Sequence, residues 1–165
     1  MVEDFRHNTK DFLAGGVTTL ASTTIPRGTN SIERSFDRAV ACAEGKSWCD
    51  YKFTNIPSFQ NHIQELGSIV SRGGVDFKFF TGFAGDQAAD MGYNPAGIAL
   101  DFFFLACERL AKSGAPAFAK IHAEDPYVRG ILVDRLEGWA VVDKLIAWAE
   151  SSPERLNVCK YIVMV

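Results

Sequence analysis

Four times along this chain a short β-branched or aromatic run gives way to a segment of helical periodicity, and that alternation restricts the possible folds more than any other feature. The extended runs are residues 17–23, 48–56, 73–83 and 116–124. After the first, Asn30 is placed to cap a helix, with Glu33 three residues on and Ile32, Phe36, Ala39, Val40 and Ala43 on one side. Pro57-Ser58 opens a second helix with Ile63, Leu66 and Val70 inward. Pro95 opens a third, whose stripe is Ile98, Phe102, Leu105, Ala106 and Leu110. Asp125-Pro126 opens a fourth as N-cap and first helical residue, with Val128, Ile131, Leu132 and Leu136 as its stripe. A short helix over residues 4–14, stopped by Gly15-Gly16, precedes the series, and a helix near 140–150 and a strand near 159–165 follow it. Strands that alternate with helices in this way make parallel βαβ units of an α/β fold. The connection over residues 84–94 is long for such a unit and is a candidate functional loop.

The 165 residues suffice for one domain with a real core, and 13 phenylalanines within a 47% hydrophobic share argue for tight packing. A net charge of -3 with no basic tract disfavours nucleic acid as a partner. No apolar run approaches membrane-spanning length, and Met1 to His7 has no apolar signal core. Cys42, Cys49, Cys107 and Cys159 lack the close spacing of zinc or redox pairs; they read as reduced thiols of a cytoplasmic protein.

Function in α/β folds gathers at the carboxyl ends of strands. Two of those ends carry unusual residues: Lys78 in Gly-Gly-Val-Asp-Phe-Lys-Phe-Phe-Thr-Gly-Phe, and His122 with Glu124 in the next strand. Val75, Phe77 and Phe79 alternate with Asp76, Lys78 and Phe80, while Lys120, His122 and Glu124 share one parity. Lys78 and His122 are therefore expected on the same side of the sheet from neighbouring strands. The bland reading of Lys78 is an amine that reaches the strand end or pairs with Asp76. Two sharper ones compete with it. A neutral amine can take up carbon dioxide to form a metal-bridging carbamate, with His122 completing a metal shell. A desolvated amine can instead attack a carbonyl, as in barrel aldolases, with His122 or Glu124 as acid–base partner.

Resemblance favours the first. Ala14-Gly-Gly-Val-Thr-Thr-Leu with Ile25-Pro26, Cys49-Asp-Tyr, Gly74-Val-Asp-Phe-Lys-Phe-Phe and Ala119-Lys-Ile-His-Ala-Glu-Asp resemble successive landmarks of the dihydropyrimidinase and hydantoinase family of cyclic amidohydrolases, collinear over residues 4–137. The resemblance implies a metal-dependent (β/α)8 barrel hydrolysing C–N bonds of cyclic amides or ureides. It makes Lys78 the carboxylated lysine bridging two divalent metal ions, zinc by expectation, and His122 a ligand of one of them. It also implies homo-oligomers.

The chain departs from that pattern in three ways. It has no Asp-x-His-x-His motif: His7 and His62 lie elsewhere without that spacing. The later histidine and aspartate ligands have no counterpart. The substrate-binding position five residues after Lys78, where the family places a tyrosine, is Phe83. The expectation is a single partial barrel domain over residues 1–165, comprising about four strand–helix units, the second to the fifth. Its metal site is incomplete and this chain alone is inactive. The alternative is a non-catalytic dihydropyrimidinase-like scaffold.

Overall fold

The computed structural model describes residues 2–27, 30–114, 116–135, 146, 149 and 151. Its elements run α1 (Val2–Ala14), β1 (Thr19–Thr24), α2 (Ile32–Ala43), β2 (Asp50–Asn55), α3 (Gln60–Ser71), β3 (Asp76–Phe80), α4 (Gly85–Asp90), α5 (Leu100–Ala111), β4 (Phe118–His122) and α6 (Pro126–Asp134). The strands form one parallel sheet in the order β1-β2-β3-β4, each pairing with the next in sequence. Consecutive parallel strands joined through helices are the βαβ units that the alternation predicts, and they form an arc of the (β/α) barrel that the resemblance implies.

Strand parity divides the sheet into two chemically distinct faces. Leu20, Tyr51, Phe53, Phe77, Phe79 and Ile121 face the helices and build the core with Ile32, Phe36, Ile63, Leu66, Ile69 and Phe102. Phe77 and Phe79 are fully buried, and Phe79 meets Phe102 and Phe103 edge-on. Helix α2 packs on α3, and α3 on α5. The opposite face carries Lys52, Thr54, Asp76, Lys78, Phe80, Lys120 and His122.

Local chemistry moves several boundaries. Helix α2 is capped by Ser31, whose hydroxyl accepts the Arg34 N–H, rather than by Asn30. The Asn30 amide instead donates to the Arg27 carbonyl, and Glu65 accepts from both the Ser31 hydroxyl and the Glu33 N–H. The expected loop over 84–94 contains the short helix α4. Helix α5 starts at Leu100 rather than Pro95, because Asn94 accepts the Ala96 N–H and Gly97 turns the chain at φ +77°. Asp125 caps α6 as expected, accepting the Tyr127 and Val128 N–H groups.

Two apolar stripes are less buried than their spacing predicts. Leu105 is exposed on α5, and α6 buries none of its side chains, with Ile131 exposed and Val128 and Leu132 half-buried. Leu136, Cys159, the expected helix near 140–150 (apart from two isolated positions) and the strand near 159–165 lie outside the described residues. Cys42, Cys49 and Cys107 are free thiols, and only Cys42 is fully buried. Among the described residues no helix is long and apolar enough to cross a membrane.

Candidate active site

The polar face of the sheet is organised by one buried carboxylate. Asp76 is only 1% exposed and faces Thr54 across the β2–β3 ladder and Phe118 across the β3–β4 ladder. Lys52 Nζ lies 2.7 Å from its Oδ2, and Lys120 Nζ lies 2.8 Å from Oδ1 and 2.9 Å from Oδ2. The Thr54 hydroxyl donates to Oδ2 at 3.0 Å. Burial alone would push the Asp76 carboxyl up, but hydrogen bonds from Lys120, Lys52 and Thr54 outweigh it and hold the group below the ordinary carboxylate range. Both lysines also lie over the Phe118 ring, at 5.1 Å and 5.8 Å from its centroid.

This network corrects the pairing of Lys78 with Asp76. The Asp76 carboxylate is taken by Lys52 and Lys120, and Lys78 Nζ makes no hydrogen bond or ion pair among the described residues. Lys78 stands one layer nearer the strand ends, directly opposite Lys120 in the β3–β4 ladder. Its ammonium lies 5.0 Å from the Phe80 ring centroid. Partial burial lowers its pKa below 10.5, and the Lys120 charge lowers it further.

The next layer joins the lysine to the histidine. Phe80 is opposite His122 in the ladder, with ring centroids 5.8 Å apart. Lys78 and His122 therefore lie on one face of neighbouring strands, both against Phe80, as parity predicts. His122 Nε2 is 3.1 Å from Glu124 Oε1. Glu124 is locked in place: Thr81 Oγ1 accepts its N–H at 3.0 Å and lies 2.9 Å from its carbonyl. A Cβ on Gly82 would come within 2.4 Å of Glu124 Oε2 and 2.9 Å of its Cβ, so a larger residue there would have to displace that side chain.

At the rim, Phe83 continues an aromatic shelf with Phe80 and Tyr93. Phe83 lies 5.6 Å from Phe80 and 6.0 Å from Tyr93, and Tyr93 stacks on Phe80 at 5.8 Å. Ile56 and Ala88 close the cluster. Sequence reasoning singled out neither Lys120 nor Tyr93. Lys120 shares the parity of His122, which is a usable signal; Tyr93 comes from a loop, where parity says nothing.

Of the expected metal donors, Lys78 and His122 come together on one face, with Glu124 on the histidine. Among the described residues no group of three or more histidine, cysteine, aspartate or glutamate side chains gathers as a metal site. Two donors do not complete a binuclear centre, so the described residues do not by themselves fit the pair of ions that the resemblance implies. His62 is no ligand: fully buried, it accepts the Ser58 and Phe59 N–H groups at Nδ1 and meets the Asn30 carbonyl through Nε2.

No family model matches the sequence. The fold, however, is similar to that of solved hydantoinase and dihydropyrimidinase structures. L-hydantoinase (dihydropyrimidinase) from Arthrobacter aurescens superposes with a TM-score of 0.76 at 17% identity, covering 97% of this chain and 34% of that one. D-hydantoinase (dihydropyrimidinase) from a Thermus species gives 0.70 at 20% identity, covering 97% and 33%. Dihydropyrimidinase from Brevibacillus agri gives 0.61 at 23% identity, covering 80% and 27%. The chain thus spans about a third of the length of the structures it matches, and its strand–helix arc is a part of their fold.

Proposed function

We propose that this chain is part of a cyclic amidohydrolase, acting on the ring C–N bond of a cyclic amide or ureide. The observation that carries the reading is Lys78, an amine without a carboxylate partner among the described residues, on the same face as His122 with Phe80 against both. A lysine left unpaired beside a second lysine, with its pKa lowered by burial, is suited to reaction with an electrophile such as carbon dioxide. The hydantoinase-like fold supports that role for Lys78 over a purely structural one.

In this reading Lys78 carries the carbamate and His122 supplies an imidazole nitrogen, while Glu124 orients the ring. A divalent metal held in part by these two residues would supply Lewis acidity, and its remaining donors would have to come from outside the described residues. The apolar shelf of Phe80, Phe83 and Tyr93 excludes water and offers flat surface to a neutral ring. The free cysteines fit a reducing, cytoplasmic setting.

The test is metal analysis of the gene's full product together with 13C NMR after equilibration with labelled bicarbonate. A carbamate resonance that disappears in Lys78→Arg, with divalent metal bound, supports the hydrolase. Absence of both metal and lysine adduct counts against it.

A second reading, a non-catalytic scaffold with the same barrel, is favoured by Phe83, which has no hydroxyl. Ring-opening assays with hydantoin and 5,6-dihydrouracil separate the two: turnover excludes the scaffold.

A further inference from the structure

Two ammonium groups share one rung of the sheet: Lys78 on β3 is the direct partner of Lys120 on β4. Side chains on such a rung stand side by side, with backbones about 5 Å apart, so two long ones can reach each other. Like charges placed opposite in this way repel unless something offsets them. Asp76 offsets part of the charge, with Lys120 at 2.8 Å and Lys52 at 2.7 Å. Around that carboxylate, Lys52, Lys78 and Lys120 still set three cations against one anion. Other acids on this face are engaged or remote. Glu124 is on His122 at 3.1 Å, and Asp50 is exposed at the opposite end of β2.

A carbamate on Lys78 changes that count. The neutral amine adds to carbon dioxide, forming one N–C bond and releasing one proton to solvent, so a cationic side chain becomes an anionic one. Lys52 and Lys120 then face Asp76 and the carbamate, two charges of each sign. Among the described residues the donors for a pair of metal ions are incomplete, whereas an ammonium for a carbamate is already level with it.

Position selects Lys120 over the other cations. Lys52 sits below Asp76 on the strand faces, while Lys120 stands on the rung of Lys78 itself. On the side toward the strand ends Lys78 meets the Phe80 ring, which offers an anion no counter-charge. Lys120 is also free to turn. Its side chain is 41% exposed, and Asp76 keeps both the Lys52 ammonium and the Thr54 hydroxyl if Lys120 swings up by one layer.

We propose that Lys78 takes up carbon dioxide without a metal ion, and that the Lys120 ammonium is the counter-ion of the resulting carbamate. The pairing rests on the reading above for the carbamate, and not for the hydrolysis. Asp76 then acts as a competitor: it holds Lys120 while Lys78 is an amine and yields it when Lys78 is an anion.

The test is 13C NMR of the 165-residue chain, stripped of metal by a chelator and titrated with labelled bicarbonate. Carbamate constants are referred to the unprotonated amine, so a change in the amine's own pKa does not enter. The metal-free wild type is expected to show a carbamate resonance that Lys78→Arg lacks. Lys120→Met should weaken carbamate formation about tenfold, and Lys120→Arg should restore it. Asp76→Asn, which releases Lys120, should strengthen it about threefold. A purely structural role would lower Lys120→Met and Asp76→Asn together, and Asp76→Asn decides alone if circular dichroism shows Lys120→Met unfolded. Wild-type affinity in a folded Lys120→Met, or no gain in Asp76→Asn, overturns the pairing. An adduct that forms only when zinc is added to the gene's full product overturns it too and leaves the hydrolase reading in place. No adduct under either condition overturns both. A metal-free adduct with this pattern, but no ring opening by the full product, removes the hydrolase and keeps the pairing.

Discussion

Lys78 and Lys120 stand directly opposite each other in the β3–β4 ladder, yet only Lys120 reaches the Asp76 carboxylate. The asymmetry follows from the pleat: Asp76 lies two residues before Lys78 on the same strand and shares its face, and Lys120 and Lys52 approach it from either side. Among the described residues Lys78 is left without a counter-charge, nearest the strand ends.

Amine reactivity should report that difference. With Lys78 lowered by burial and by Lys120, its acylation midpoint, followed by mass spectrometry across pH, is expected below 10.5. Lys120→Met should move the midpoint part of the way back up, since burial remains. A midpoint at or above 10.5 in the wild type would contradict the described environment.

Removing the shared counter-charge should cost stability. Asp76→Asn leaves Lys52 and Lys120 facing a neutral amide, but both ammonium groups are more than a third exposed and can turn to water. The expected loss is therefore about 2 kcal/mol, below the full cost of a stranded buried charge. Urea denaturation measures it, and a loss under about 0.5 kcal/mol would show the network to be energetically idle.

The contact between β3 and its preceding turn leaves no space. A Cβ on Gly74 would lie 2.4 Å from Ile69 Cγ2 and 2.9 Å from Phe36 Cε2, both rigid core groups. Gly74→Ala is expected to destabilise by about 1–3 kcal/mol through overpacking, read as a fall in the denaturation midpoint. A neutral effect would mean that the helix α3 turn moves freely.

Much of this arrangement was legible before the structure. Parity alone placed Lys78 and His122 on one face, because β-strand side chains alternate without exception through β3 and β4. The stripes of α2 and α3 read correctly for a similar reason: an apolar helical face has one place to go. What failed was anything set by distant partners. Asp76 was within easy reach of Lys78 in sequence, yet it is claimed by residues 24 and 44 positions away, which no local pattern encodes. Leu105 and Ile131 have helical spacing but lie on faces that the described part of the fold leaves open. Tyr93 comes from a loop, where neither period applies, and His62 in the first turn of α3 turns its ring back to accept the Ser58 and Phe59 N–H groups, which periodicity does not encode.

His62 gives the fold a pH dependence of definite sign. Burial lowers its pKa below 6.5 by more than the Asn30 carbonyl and the Glu65 charge raise it, so the folded chain holds it neutral. Above pH 6.5 both states are neutral and stability is flat. As pH falls below that value the unfolded chain takes up a proton first, and stability drops until the folded pKa is passed, at no more than about 1.4 kcal/mol per pH unit. His62→Gln should be less stable at neutral pH and should lack this slope. A parallel decline in the variant would assign the slope to other groups.

Hydantoin ring opening by the gene's full product, measured for wild type, Lys78→Arg and Lys120→Arg, tests the account at its centre. The unpaired amine is expected to be indispensable, with Lys78→Arg at least about a thousandfold slower, while Lys120→Arg, which keeps its charge on Asp76, retains most of the rate. Comparable rates in Lys78→Arg and wild type would contradict it.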